Sequence, residues 1–135
     1  MIDRRLRILI CEDDERLATL VIETLDADGR FDVVARATNG DEAIRLTEAH
    51  TPDVVLMDIG MPGLDGIDAT RAIRARNAAQ HVVIYTGSGE YADVGRADDA
   101  GAAGFLHKDA LTSPDLPDAI QVLHANYVSS IPDPD

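Results

Sequence analysis

Four consecutive acids, Glu12, Asp13, Asp14 and Glu15, follow directly on the apolar run 6–11. Like charges this close repel one another, so their placement at the end of a buried segment is costly unless something compensates. Other residues able to do chemistry close later apolar runs: Asp58 ends "DVVLMD", Thr86 stands near the end of "VVIYTG", and Lys108 ends "AGFLHK". If these run ends meet, three carboxylates, a hydroxyl and an ammonium share one crevice. Mg²⁺ is a hard cation that takes one or two protein carboxylates and commonly completes its shell with water and phosphate oxygens. A lysine and a threonine opposite the acids suit the remaining oxygens of a phosphoryl group. Such a site works by positioning and charge neutralisation, and an aspartate in it can act as nucleophile and form an aspartyl-phosphate.

For the run ends to meet, the runs must lie side by side. Segments 6–11, 53–58 and 82–87 are short, β-branched and almost continuously apolar, the pattern of parallel strands covered on both faces; 32–37 and 103–108 are weaker candidates. Helical patterns fall between them at 15–27, 39–50, 65–76, 89–100 and 115–128. Five strand–helix repeats predict an α/β fold, a doubly wound five-stranded parallel sheet with right-handed crossovers. Strand order 2-1-3-4-5 makes strands one, three, four and five neighbours, and ligands of such sheets bind at the carboxyl ends of the strands.

The helices carry their own signals. Leu17, Leu20, Val21 and Leu25 fall on one face of 15–27, with Asp14 and Glu15 as the solvated acids of its first turn. Asn39, three residues before Glu42, is an Asn-led capping box. Ile67 and Ile73 point inward from 65–76, and Arg71, Arg74 and Arg76 gather near its end. Segment 89–100 contains Gly95 and few apolar residues, which predicts a short or mobile helix. Leu116, Ile120, Leu123 and Tyr127 form the apolar side of 115–128. The reading is one domain over 1–128 and a frayed tail, 129–135.

Whole-chain properties exclude several classes. The chain has 135 residues and a formal net charge of −13, the wrong sign for direct nucleic-acid binding by this segment. No apolar run approaches the roughly 20 residues a membrane helix needs. The single cysteine, Cys11, allows no intrachain disulfide, fits a reducing cytoplasm and reads as a small buried hydrophobe. Met57 and Met61 read as packing residues, and the histidines at 50, 81, 107 and 124 show no metal-ligand spacing.

Taken together, "ILICEDDERL", "DVVLMDIGMPGLDG", "VVIYTG" and "GAAGFLHK", in this order, resemble the receiver domain of two-component response regulators. The resemblance covers residues 6–125. It implies a flavodoxin-like (βα)5 receiver fold whose phosphoacceptor, Asp58, takes a phosphoryl group from a sensor histidine kinase in a Mg²⁺-dependent reaction. It also implies that Asp13 binds the metal directly and Glu12 through water, with Asp58 and the Gly60 backbone carbonyl as further ligands. Thr86 and Lys108 match the residues that contact phosphoryl oxygens, Thr86 and Phe105 the switch pair, and Pro62 and Gly66 shape the loop after the third strand. Gly60 and Ser88 match positions that influence how fast the phosphoryl group is lost. The face made by helix four, strand five and helix five would report the switch, through a phosphorylation-dependent homodimer or another partner.

Two departures from the commonest pattern stand out. The acidic pair is Glu-Asp rather than Asp-Asp, and Asp109 follows Lys108 where proline is common. The Lys-Asp step and "HANYVSS" are similar to the subfamily with a C-terminal helix-turn-helix, so an alternative is a receiver fragment of a DNA-binding transcription regulator. A phosphatase of the haloacid-dehalogenase type would need a second aspartate at position 60, where glycine stands. A degenerate receiver is disfavoured, since no site residue is missing.

Overall fold

The computed structural model describes residues 4–87 and 91–131. Its elements are β1 (Leu6–Cys11), α1 (Glu15–Asp28), β2 (Phe31–Ala37), α2 (Gly40–His50), β3 (Val54–Asp58), α3 (Gly66–Arg76), β4 (His81–Thr86), α4 (Tyr91–Asp99), β5 (Phe105–His107), a 3-10 helix (Lys108–Thr112) and α5 (Leu116–Ser130). All strand pairs are parallel and the order is β2-β1-β3-β4-β5, as expected for a doubly wound sheet. Among the described residues no helix is long and apolar enough to cross a membrane.

Alternation along the strands makes two cores. Leu9, Cys11, Val55, Met57, Val82 and Ile84 face one way, onto Ala43 of α2, Ile67 and Ile73 of α3 and Ala97 of α4. Ile8, Ile10, Val54, Leu56, Val83 and Tyr85 face the other way, onto Val21 and Leu25 of α1 and Leu116 and Ile120 of α5. Because both faces are covered, β3 and β4 are buried at every residue, which is why these strands read as unbroken apolar runs.

Local chemistry sets the element ends, and several differ from the sequence-based boundaries. Gly29, at φ +87°, closes α1 in the left-handed conformation that glycine adopts without a Cβ penalty. Leu20 is 44% exposed rather than part of the inward stripe, and the buried face of α1 is Ala18, Val21 and Leu25. Asn39 does cap α2 by accepting the Glu42 N–H, but the Glu42 carboxylate accepts from the backbone and hydroxyl of Thr38 instead of closing a reciprocal box. Helix α5 persists past residue 128 to Ser130 and stops because Ile131, preceding Pro132, is pushed to an extended conformation; 132–135 lie outside the described residues. Strand β5 is only three residues long: the His107 ring accepts the Asp109 N–H at 3.1 Å and turns the chain into the 3-10 helix, so Lys108 starts that helix rather than ending the strand.

At the start of β4 the histidines form an arrangement that their spacing does not reveal. His81 is buried; its Nε2 lies 2.6 Å from the Ala103 carbonyl and its Nδ1 3.0 Å from His124 Nδ1 on α5. A carbonyl only accepts, so His81 carries its proton on Nε2, and its Nδ1 accepts from His124. The Tyr127 ring stacks on His81 at 4.2 Å, and the Tyr127 hydroxyl accepts from Arg74 and donates to Ala79 O. Burial holds His81 down to about 4, helped by the neighbouring His124 and Arg74. A folded-state pKa below the unfolded value of about 6.5 gives stability that is present above pH 6.5 and lost as pH falls towards 4. Urea unfolding of wild type against His81→Leu is expected to show wild type losing about 2–3 kcal/mol more than the variant between pH 7 and pH 4; equal losses would refute this assignment.

Candidate functional site

The acidic run divides residue by residue. Glu12, just past β1, is 1% exposed. Its two carboxylate oxygens accept from the Tyr85 hydroxyl at 2.7 Å and the Asp14 N–H at 2.9 Å. Asp13 is exposed, and the Arg36 guanidinium donates to the backbone carbonyls of Glu12 and Asp13. Asp14 is the N-cap of α1, accepting from the N–H groups of Arg16 and Leu17. Glu15 is the acid of that helix's first turn, where negative charge suits the dipole.

Asp58 is the last residue of β3 and 5% exposed; its Oδ1 accepts the Gly60 N–H at 3.0 Å. The chain beyond it is held by Ile59 N–H donating to Tyr85 O and Gly66 N–H donating to Ile59 O, both at 3.1 Å. Gly66 passes so close to the Asp58 backbone that a Cβ there would sit 2.1 Å from Asp58 O. Gly63, at φ +74°, takes the conformation that lets the loop turn; Pro62 is exposed beside it.

One carboxylate oxygen from each of Glu12, Asp13 and Asp58 lies within 4.8 Å of the others. Burial raises the pKa of both Glu12 and Asp58; for Asp58 the Gly60 N–H and the Lys108 charge pull the other way and the Asp13 charge adds to the rise. Such a group of hard oxygen donors, two of them buried, fits a divalent cation of the Mg²⁺ type. Thr86 ends β4 and is 8% exposed, and the Lys108 stem runs beside Gly87. Phe105 opens β5 opposite Ile84 and packs partly buried on the α2–α4 core. Ser88 lies outside the described residues. Desolvation also pushes the Cys11 thiol up to a value that keeps it protonated, consistent with a packing role.

Sequence reasoning misses Tyr85. It reads as one more apolar residue of β4, yet a phenol in a strand buried on both faces needs a partner for its hydroxyl. That requirement is the signal that points to it.

A model of the response regulator receiver domain family matches residues 8–121. The transcriptional regulatory protein PdtaR of Mycobacterium tuberculosis is 40% identical over 121 residues, which are 90% of this chain and 58% of PdtaR. The chemotaxis protein CheY of Halobacterium salinarum is 35% identical over 114 residues, covering 84% of this chain and 92% of CheY. The receiver domain of the putative response regulator NarL from M. tuberculosis superposes with a TM-score of 0.84 at 32% identity, over 90% of this chain and 98% of that one. The chain spans little more than half of PdtaR's length but nearly all of CheY's, so what it shares with both is one signalling unit. It belongs to the receiver domain family of two-component response regulators.

Proposed function

We propose that this receiver accepts a phosphoryl group on Asp58 from the phosphohistidine of a sensor kinase, in a Mg²⁺-dependent transfer to which its own residues contribute the catalytic groups. The observation that carries this reading is the convergence of Glu12, Asp13 and Asp58 within 4.8 Å of one another at the strand ends. An Asp58 carboxylate oxygen attacks phosphorus, the phosphorus–nitrogen bond breaks, and the histidine ring leaves with that electron pair. Asp13 and Asp58 would hold the cation directly, with the Gly60 carbonyl, and Glu12 through water. Mg²⁺, when bound, neutralises the charge that builds up on the phosphoryl oxygens. Lys108 pairs with one of those oxygens and the Thr86 hydroxyl donates to another. Water attacking phosphorus in the same site breaks the phosphorus–oxygen bond to Asp58, which releases inorganic phosphate and returns the acceptor to its free carboxylate.

Phosphorylation adds a charge of about −1.5 to −2, which draws Thr86 inward and biases Phe105 between two positions. The α4-β5-α5 face then presents a different surface to a second copy or another partner. The buried, protonated thiol fits a cytoplasmic setting. A second reading is favoured by the 58% span of PdtaR and the similar 49% span of a M. tuberculosis NarL named as a probable transcriptional regulator. On that reading these residues are the receiver part of a longer transcription regulator, with the DNA contacts outside this acidic segment; the reading frame beyond Asp135 decides it. The direct test is intact mass after incubation with acetyl phosphate. A gain of about 80 Da, one phosphoryl group, is expected with Mg²⁺ and none with a chelator. A gain that is independent of Mg²⁺ would overturn the metal-dependent mechanism.

A further inference from the structure

Tyr85 is 1% exposed and sits in the core shared with α1 and α5, so its hydroxyl has no access to bulk water. Two acceptors lie near that hydroxyl: Glu12 Oε1 at 2.7 Å and the Cys11 carbonyl at 3.2 Å. A phenol has one proton, and the shorter contact, to Glu12 Oε1, has the ordinary length of an O–H···O bond and takes it. The other Glu12 oxygen is occupied by the Asp14 N–H at 2.9 Å. Two donors from different parts of the chain therefore fix the plane of the Glu12 carboxylate.

The glutamate itself makes this arrangement necessary. It has one more rotatable bond than an aspartate would have, hence more freedom to lose when a cation binds. A donor that holds it in advance removes that loss, as partners behind a metal ligand do in general. The hydroxyl belongs to β4, and the next residue along is Thr86. We infer that Tyr85 is a positioning residue for the cation site: it holds Glu12 in the orientation that binds Mg²⁺ or its waters, and so ties the acidic pair to the strand end that carries Thr86. The inference rests on the proposed Mg²⁺ site.

A double-mutant cycle tests it, with Mg²⁺ binding read by calorimetry and folding by circular dichroism. Tyr85→Phe is expected to raise the Mg²⁺ dissociation constant about tenfold. Glu12→Asp withdraws the carboxylate by about 1.5 Å, one carbon–carbon bond, out of reach of the hydroxyl. In that background Tyr85→Phe should change the constant less than about twofold, because the bond is already gone. An equal effect in both backgrounds, or none with Glu12 present, overturns the inference while leaving the Mg²⁺ site intact. Failure of the wild-type chain to bind Mg²⁺ overturns the site and the inference with it. Glu12→Asp alone gives a second handle: its tyrosine absorption band should move to the blue as the phenol loses its close carboxyl acceptor, and an unmoved band overturns the pairing.

Discussion

With asparagine at position 58 the domain is expected to take up no phosphoryl group from acetyl phosphate, while wild type should gain about 80 Da. The amide is isosteric with the carboxylate and retains an oxygen able to accept the Gly60 N–H, so the loop should keep its shape. What it lacks is a charged oxygen able to attack phosphorus. The same change is expected to stabilise the metal-free chain. At separations up to 4.8 Å and an effective dielectric near 20, two ionised carboxylates repel by about 3.5 kcal/mol or more. Raised pKa values at Glu12 and Asp58 relieve part of this, so the net gain should be about 1–2 kcal/mol. The sign is fixed by linkage. An acid whose folded pKa lies above its unfolded value supports the fold below the unfolded pKa, and that support is lost as pH rises through the folded one. Asp58→Asn removes this loss, so its melting temperature in a chelator should exceed that of wild type at pH 7.5. Added Mg²⁺, which stabilises whichever form binds it, should close or reverse the gap. Labelling of the asparagine variant to the wild-type extent would show that another residue is the acceptor.

Gly66→Ala is expected to be the most disruptive single-methyl change near the site. The three atoms nearest the new Cβ are all backbone: Asp58 O at 2.1 Å, Asp58 C at 2.8 Å and Ile59 Cα at 3.0 Å. No side chain can swing aside, so either α3 must retreat or the end of β3 must bend. Overpacking of this kind costs about 3 kcal/mol, or roughly 10 °C in melting temperature for a domain of this size. Any methyl accommodated by bending β3 displaces Asp58 as well, so phosphoryl uptake should slow in the fraction that stays folded. Gly95→Ala is the control, because a Cβ there has nothing within 4 Å. A Gly66→Ala chain that melts and labels like wild type would show that the helix start is not packed against the acceptor's backbone.

The fold was legible because its strands are covered on both sides: an apolar run as short and unbroken as 54–57 fits little besides a strand buried on both faces. The strand-end acids, Thr86 and Lys108 were legible for a related reason, since polar residues at the close of such runs are conspicuous. Features set by contacts across the sheet were harder to see. Leu20 fits the helical stripe of α1 but falls beyond the edge that β1 and α5 cover. The stop of β5 depends on the His107 ring turning back to Asp109, which alternation cannot show. Tyr85 and His81 were hidden inside apolar segments, and their partners, Glu12 and His124, stand 73 and 43 residues away. Each is a buried polar group with a distant partner, a relation without sequence periodicity.

The brevity of β5 bears on how this molecule can meet others. It is a margin of the sheet, and a margin normally offers a row of unpaired backbone groups onto which a foreign strand can add. Three residues that pass straight into a 3-10 helix leave too short a row for that. The opposite margin, β2, is longer, but its pairing with β1 slips at Val34, and it carries Asp32 and Arg36. Both margins are thus poor templates for strand addition, one by truncation and one by irregularity and charge. Association at either side would then proceed through side chains rather than by backbone pairing, which leaves no ready route to fibrous assembly.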